Sequence, residues 1–253
     1  MPNWTDINIV AIDVETTGFD PQRDRVIEIG MVEMRGGEVI DRWGQLINPG
    51  MPIPRAVREL TGIEQDHVED KPPFSEFAAE VRSRLEGRCV VAYNLSFDRS
   101  FVEAELERCG LTWPEEHKLD PLIFARALMP NLKKKRLGDV AAALGVDLRE
   151  AHRAMDDAEA AGRVLYAWGD RLPADLDDLL TLQAQWERQQ EETHAIRRGR
   201  GLSLSMGGDA LDEGPIELGP AYIYGDEVDP YRALVRALPD ARTKFRPDEE
   251  ASA

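Results

Sequence analysis

The stretch Ile7-Asn8-Ile9-Val10-Ala11-Ile12-Asp13-Val14-Glu15-Thr16-Thr17-Gly18 decides how the rest of this chain is read. Its apolar run predicts a β-strand, and apolar residues on both faces place that strand inside a sheet. Side chains alternate along a strand, so Asp13 and Glu15 share one face while Val10, Ile12 and Val14 share the other. Two carboxylates side by side on a buried strand repel each other and are costly to desolvate. A cation between them removes the conflict, and hard divalent ions such as Mg²⁺ prefer carboxylate oxygens. The competing reading is an acidic pair at a strand end, relieved by solvent or by protonation.

Outward from this strand, Arg25 to Met34 reads as a second strand, Gly36-Gly37 as a tight turn, and Glu38 to Ile47 as a third. Together they predict a three-stranded antiparallel meander. Pro49 to Asp70 reads as a loop with short helices, interrupted by Pro52, Pro54 and Gly62. Apolar residues at 74, 77, 78, 81 and 85 predict an amphipathic helix. Cys89 to Tyr93 reads as a short buried strand, followed by helices over about 97–109, 121–128 and 137–144. The last helix of this region spans about 153–168, with Ala154, Ala158, Ala161, Leu165 and Trp168 along one side. Strands followed by alternating helices and a strand imply an α/β domain over residues 1–170, built on a mixed sheet flanked by helices.

Beyond Pro173 the chain changes character. Residues 171–200 are polar, rich in Gln, Glu and Leu, and read as a protruding helix. Residues 201–253 read as a linker and partly disordered, partner-docking tail, with one short helical pattern over 231–238.

A chain of 253 residues can bury a sizeable core. Its formal net charge of −17 argues against a surface that clings to nucleic acid all over, although a metal-loaded acidic cleft still accepts a phosphodiester. The first 170 residues hold 21 basic and 31 acidic side chains and the remainder 10 and 17, so no basic tail serves as a nucleic-acid arm. Cys89 and Cys109 are read as reduced thiols, the N-terminus lacks the marks of a signal peptide, and no apolar run is long enough to span a bilayer. These features predict a soluble, cytoplasmic protein with no membrane partner.

Two further motifs join the first. Asn94-Leu95-Ser96-Phe97-Asp98 follows the short strand where the chain turns into a helix, and His152-Arg153-Ala154-Met155-Asp156-Asp157-Ala158 opens the Ala-rich helix. With Asp13 and Glu15, these bring up to four carboxylates and an imidazole to strand ends and helix starts. In this, the chain resembles the DEDDh 3′–5′ exonucleases, which have an RNase H-like fold. Asp13-Val14-Glu15-Thr16-Thr17-Gly18 matches the family's opening motif. Asn94 and Phe97-Asp98 match the second, with Tyr93 where many members carry His. His152, four intervening residues and Asp157-Ala158 match the third. The resemblance covers residues 7 to about 168 and includes Leu60-Thr61-Gly62-Ile63, in a region that contacts substrate in relatives.

The resemblance implies that Asp13, Glu15, Asp98 and Asp157 hold two Mg²⁺ ions, with Mn²⁺ able to substitute, and that Asp13 bridges them. It implies His152 as the general base, a role suited to a near-neutral pKa. Thr16, Thr17, Gly18, Asn94 and Phe97 become candidate contacts to the terminal nucleotide. Two-metal sites activate water, clamp the phosphoryl oxygens and stabilise the leaving group. Asp156 is the alternative to Asp157 if three residues follow His152; the position before Ala158 favours Asp157.

The remaining candidates carry plainer readings. His67, His117 and His194 read as solvated surface residues, and Trp43, Trp113 and Trp168 as core or rim. Lys133-Lys134-Lys135-Arg136 fits either a phosphate-tracking patch or a solvated turn. The leading function is release of nucleoside monophosphates from the 3′ end of single-stranded or frayed DNA, resembling the epsilon proofreading type of bacterial DNA polymerase III. On that reading residues 171–253 reach a polymerase or sliding clamp; Leu202 to Met206 faintly resembles a clamp-binding peptide but has Gly201 where the leading Gln would be. The alternatives are a stand-alone RNA or single-strand trimming enzyme of the RNase T or oligoribonuclease type, and a binding module that keeps the fold as a scaffold. The intact carboxylate set argues against the scaffold.

Overall fold

The computed structural model describes residues 2–114, 117–148 and 152–204, with side chains as far as residue 193. The tail expected over 201–253 lies outside the described residues from 205 onward, Ser205 and Met206 of the clamp-like segment included, as does the side chain of His194. Five strands form one sheet: β1 (Ile9–Thr16), β2 (Val26–Arg35), β3 (Glu38–Leu46), β4 (Cys89–Val91) and β5 (Lys118–Leu119). Their order is β3-β2-β1-β4-β5. The first three make the expected antiparallel meander, and β4 and β5 add in parallel. A two-residue strand is too short to carry a period-2 pattern, so β5 had no signature in the sequence.

The opening strand is central, as its two apolar faces predict. Val10, Ile12 and Val14 enter a core with Phe74, Val81, Phe101 and Leu106. Ile9 and Ala11 enter a second core, on the opposite face, with Phe124, Ala158, Leu165 and Trp168. Helices α1 (Arg55–Thr61) and α2 (Gln65–Glu69) cover the end of the meander. The pattern from 74 to 85 resolves into a 3-10 turn, Phe74–Glu76, and helix α3 (Ala78–Leu85). Helix α4 (Leu95–Arg108) packs beside α3, while α5 (Pro121–Leu128), α6 (Leu137–Leu144) and α7 (Ala154–Ala167) cover the other face. All five residues predicted on the buried side of α7 are buried. Cys89 and Cys109 are not joined in a disulfide, Trp113 and Trp168 are buried, Trp43 is half-buried, and His67 and His117 are exposed.

Helix α8 (Leu176–Leu204) runs through the Arg-Gly segment at 198–201. The first half of the helix expected to protrude is instead seated on the domain: Leu176 and Leu179 are buried, and Trp186 meets Phe124 edge to face at 5.9 Å. The N-terminus secures its start, since Trp4 N–H donates to the Ala174 carbonyl and Leu176 N–H to that of Pro2. No described helix is long and apolar enough to cross a membrane.

Candidate active site

Three parts of the chain meet at the end of β1. Pairing with β4 covers only Ile9 to Ala11, so beyond Ala11 that edge of β1 has no strand neighbour among the described residues. Asp98, on the first turns of α4, fills the gap: its carboxylate accepts the Val14 N–H at 3.0 Å. Asp98 is thereby buried beside the strand that carries Asp13 and Glu15.

The third part arrives because two glycines leave room for it. Asp13 pairs with Gly30 on β2, and Gly30 pairs with Gly44 on β3. A Cβ on Gly30 would lie 2.3 Å from the backbone of Ala154 and Met155, so only glycine lets the start of α7 approach the sheet this closely. His152 turns the chain into that helix with φ +66°, a left-handed conformation that a side chain seldom adopts. Its N–H donates to Asp157 Oδ2 at 2.8 Å. Asp156, one residue earlier, lines a separate cavity of about 300 Å³ with Glu159, Arg163 and Tyr166. Of the two adjacent carboxylates, Asp157 is the one whose charge bears on Asp13.

Glu15, His152 and Asp157 each offer a ligand atom, all within 4.8 Å of one another. Burial lifts Asp13 well above the ordinary carboxylate pKa, and the charges of Asp98, Asp157, Glu15 and Glu28 lift it further. Burial also lifts Asp98, against the N–H bonds from Val14 and its own residue. Asp157 is pushed up to about 6, chiefly by burial, with the His152 N–H opposing and Asp156 and Glu28 adding. The His152 imidazole is lowered by burial, which favours its neutral form. Carboxylates concentrated against their own repulsion, with an imidazole beside them, suit a divalent cation.

The candidate substrate contacts are placed more variously. Thr16 and Thr17 are buried and their hydroxyls serve the chain itself: Thr16 Oγ1 donates to the Gly18 carbonyl, and Thr17 Oγ1 accepts the Arg25 N–H. The Asp24 carboxylate lies 2.4 Å from where a Cβ on Gly18 would stand, so a side chain there would have to displace it. These residues shape the turn after β1. Asn94 is left-handed at φ +74° and half-buried, and Phe97 is half-buried against Phe101. Tyr93 donates its hydroxyl to the Lys135 carbonyl at 2.5 Å, which ties the basic loop to the second motif. Gly62 caps α1 with φ +69°.

Two acidic residues at the site went unnoticed in the sequence. Glu28 pairs across the sheet with Glu15, and both are buried. Like charges directly opposite are destabilising, and Arg153 answers Glu28 through Nη2 at 2.9 Å while the Ala154 N–H donates to it at 3.2 Å. Its signal was a lone Glu inside the apolar run Val26-Ile27-Glu28-Ile29. Asp120, after β5, accepts N–H bonds from Asn94, Leu95 and Leu122, and burial pushes its pKa up to about 6.

The sequence profile of the exonuclease family RNase T matches residues 10–165, a segment that contains all three motifs. Among curated relatives, the PolC-type DNA polymerase III of Clostridium perfringens is 34% identical over 183 residues, covering 72% of this chain and 13% of that protein. The 3′-5′ exonuclease DinG of Bacillus subtilis is 36% identical over 156 residues, covering 61% and 17%. The chain therefore spans under a fifth of the length of these relatives. Among solved structures, E. coli exonuclease I in complex with a dT13 oligonucleotide superimposes with TM-score 0.60 at 22% identity, covering 66% of this chain and 42% of that one. Exonuclease X in complex with 5′ overhanging duplex DNA gives TM-score 0.55 at 21% identity, covering 69% and 99%. These likenesses show the RNase H-like fold. With the profile match spanning more than half of its residues, the chain belongs to the DEDDh exonuclease family.

Proposed function

We propose that this chain is a divalent-metal-dependent 3′–5′ exonuclease that releases nucleoside monophosphates from the 3′ end of single-stranded or frayed DNA. The observation that carries the reading is the convergence of Asp13, Glu15, Asp98 and Asp157 with His152 at the end of β1. Asp13, Glu15, Asp98 and Asp157 would hold two Mg²⁺ ions, or Mn²⁺ in their place. Divalent ions there supply Lewis acidity toward water and the phosphoryl oxygens, and neutralise charge on the phosphodiester.

The rest falls to the protein. His152, kept neutral by burial, accepts the proton of the attacking water through its imidazole. Its own N–H, bonded to Asp157, holds base and carboxylate in one rigid turn. Thr16, Thr17 and Gly18 would border the terminal nucleotide through the shape of their turn, the two threonine hydroxyls and the Thr17 N–H being committed within the chain. Phe97 and Asn94, at the start of α4, would flank the nucleotide on the other side.

The kinship with PolC-type polymerase and DinG supports action on DNA in replication or repair, as a proofreading activity of the polymerase III type. On this reading residues 171–253 reach the polymerase or clamp. The decisive assay uses 5′-labelled oligonucleotides, DNA and RNA of one sequence, with matched and mispaired 3′ ends. We expect Mg²⁺-dependent shortening of DNA, faster from the mispaired end and lost in Asp13→Ala. Cleavage confined to RNA would replace the substrate with the one a stand-alone trimming enzyme uses. No cleavage of either, with oligonucleotide still bound, would leave only the scaffold.

A further inference from the structure

Asp98 depends on a support that begins outside the family-matched segment. It sits on the first turns of α4, whose N-terminal residue Asn94 makes no side-chain cap. The first N–H groups of a helix have no partner within it. Here Asp120 supplies them: Oδ1 accepts the Asn94 N–H and Oδ2 the Leu95 N–H, each at 3.0 Å. Asp120 Oδ1 also caps its own helix, α5, through the Leu122 N–H at 2.9 Å. That last bond alone would suffice for an ordinary N-cap. The other two fix the start of α4 one turn before Asp98.

Asp120 is held in turn from α8. The Gln183 side chain accepts the Asp120 N–H at 2.8 Å and donates to the Lys118 carbonyl at 3.1 Å. One amide group thus brackets β5, a two-residue strand whose pairing in the sheet is limited to Val90 and Val91. The connection runs Gln183, Asp120, Asn94 and Leu95, Asp98, and ends on the Val14 N–H between Asp13 and Glu15.

We propose that Asp120 is a positioning residue for Asp98 and that Gln183 of α8 completes its support, so that the catalytic unit extends past residue 165 into α8. This rests on the exonuclease reading above.

The test compares three variants of the full chain: Asp120→Asn, which keeps the shape but removes one acceptor oxygen; Gln183→Met; and Gln190→Met. Gln190 anchors the same helix through the Ile123 carbonyl at 2.9 Å and does not touch Asp120. For each, kcat and KM on a single-stranded oligonucleotide, the Mn²⁺ dissociation constant by electron paramagnetic resonance, and Tm are measured. Asp120→Asn should lower kcat and weaken Mn²⁺ binding by about 10–100-fold, the range for removing a support of a metal-binding carboxylate, with KM nearly unchanged. Gln183→Met should shift both in the same direction, and Gln190→Met should cost a similar Tm with both at wild-type values. Equal losses in the two glutamine variants, or wild-type Mn²⁺ affinity in Asp120→Asn, would overturn the proposal. If the wild type binds Mn²⁺ but cleaves nothing, the exonuclease reading fails, while the Mn²⁺ affinities of the variants still judge the positioning role.

Discussion

Asp157 and Asp156 are adjacent, yet only Asp157 accepts the His152 N–H; Asp156 lines the cavity behind it. We therefore expect Asp157→Asn to abolish hydrolysis and Asp156→Asn to retain most of it, measured on a labelled oligonucleotide under saturating Mg²⁺. The carboxylates also make a prediction about stability. In the unfolded chain Asp157 titrates near 3.8, and in the folded chain at about 6. Between those values the folded chain holds a proton that the unfolded one has lost. Without metal, stability should therefore fall as pH rises from about 4 to about 6 and level off above, by on the order of 1–3 kcal/mol for Asp157. Asp13 is raised too, so Asp13→Asn should raise Tm in EDTA at pH 7.5 while removing activity. Thermal denaturation with and without EDTA checks this; a lower Tm for Asp13→Asn in EDTA would show that the repulsion is already relieved.

Helix α7 was readable from its alanines, and its buried side is the predicted one. How close it comes to the sheet was not readable, because closeness depends on what the facing strands omit. Gly30 sits in a plain apolar strand pattern, and its need for glycine appears only once Ala154 lies against it. Gly30→Ala should push the start of α7 away, destabilise the fold by about 1–3 kcal/mol, and cut activity well beyond what the stability loss explains. Chemical denaturation and turnover on the same preparation check the two effects separately. Glu28 escaped notice for a related reason: one acidic residue in a strand has no meaning until Arg153 and Glu15 are known to face it. Helix α8 reads as polar, and only the seating of Leu176, Leu179 and Trp186 shows that its first half belongs to the domain.

Over the whole molecule, a net charge of −17 must be reconciled with a polyanionic substrate. The basic loop at 133–136 is the place to look, because Tyr93 holds it beside the second motif. Within it Lys135 turns back to the Leu132 carbonyl and Arg136 pairs with Asp139, while Lys133 and Lys134 are exposed. If those two lysines follow the substrate's phosphates, Lys133→Ala/Lys134→Ala should weaken oligonucleotide binding and flatten its dependence on salt. The log–log slope should drop by about 0.7 for each phosphate of a single strand that is no longer neutralised. Fluorescence anisotropy across a salt series measures the slope, and an unchanged slope would mark the segment as a solvated turn.

The sequence by itself determined the central strand, the meander and the family, and pointed to Asp13, Glu15, Asp98, His152 and one of two adjacent aspartates for the candidate centre. Each of these is carried by local periodicity or by a short motif, and both are written along the chain. Tertiary structure alone decided which of two aspartates faces the centre, how near α7 may come, what answers the buried Glu28, and that α8 is joined to Asp98 through Asp120. Those depend on packing between residues far apart in sequence, where direction and distance, rather than residue type, determine the chemistry.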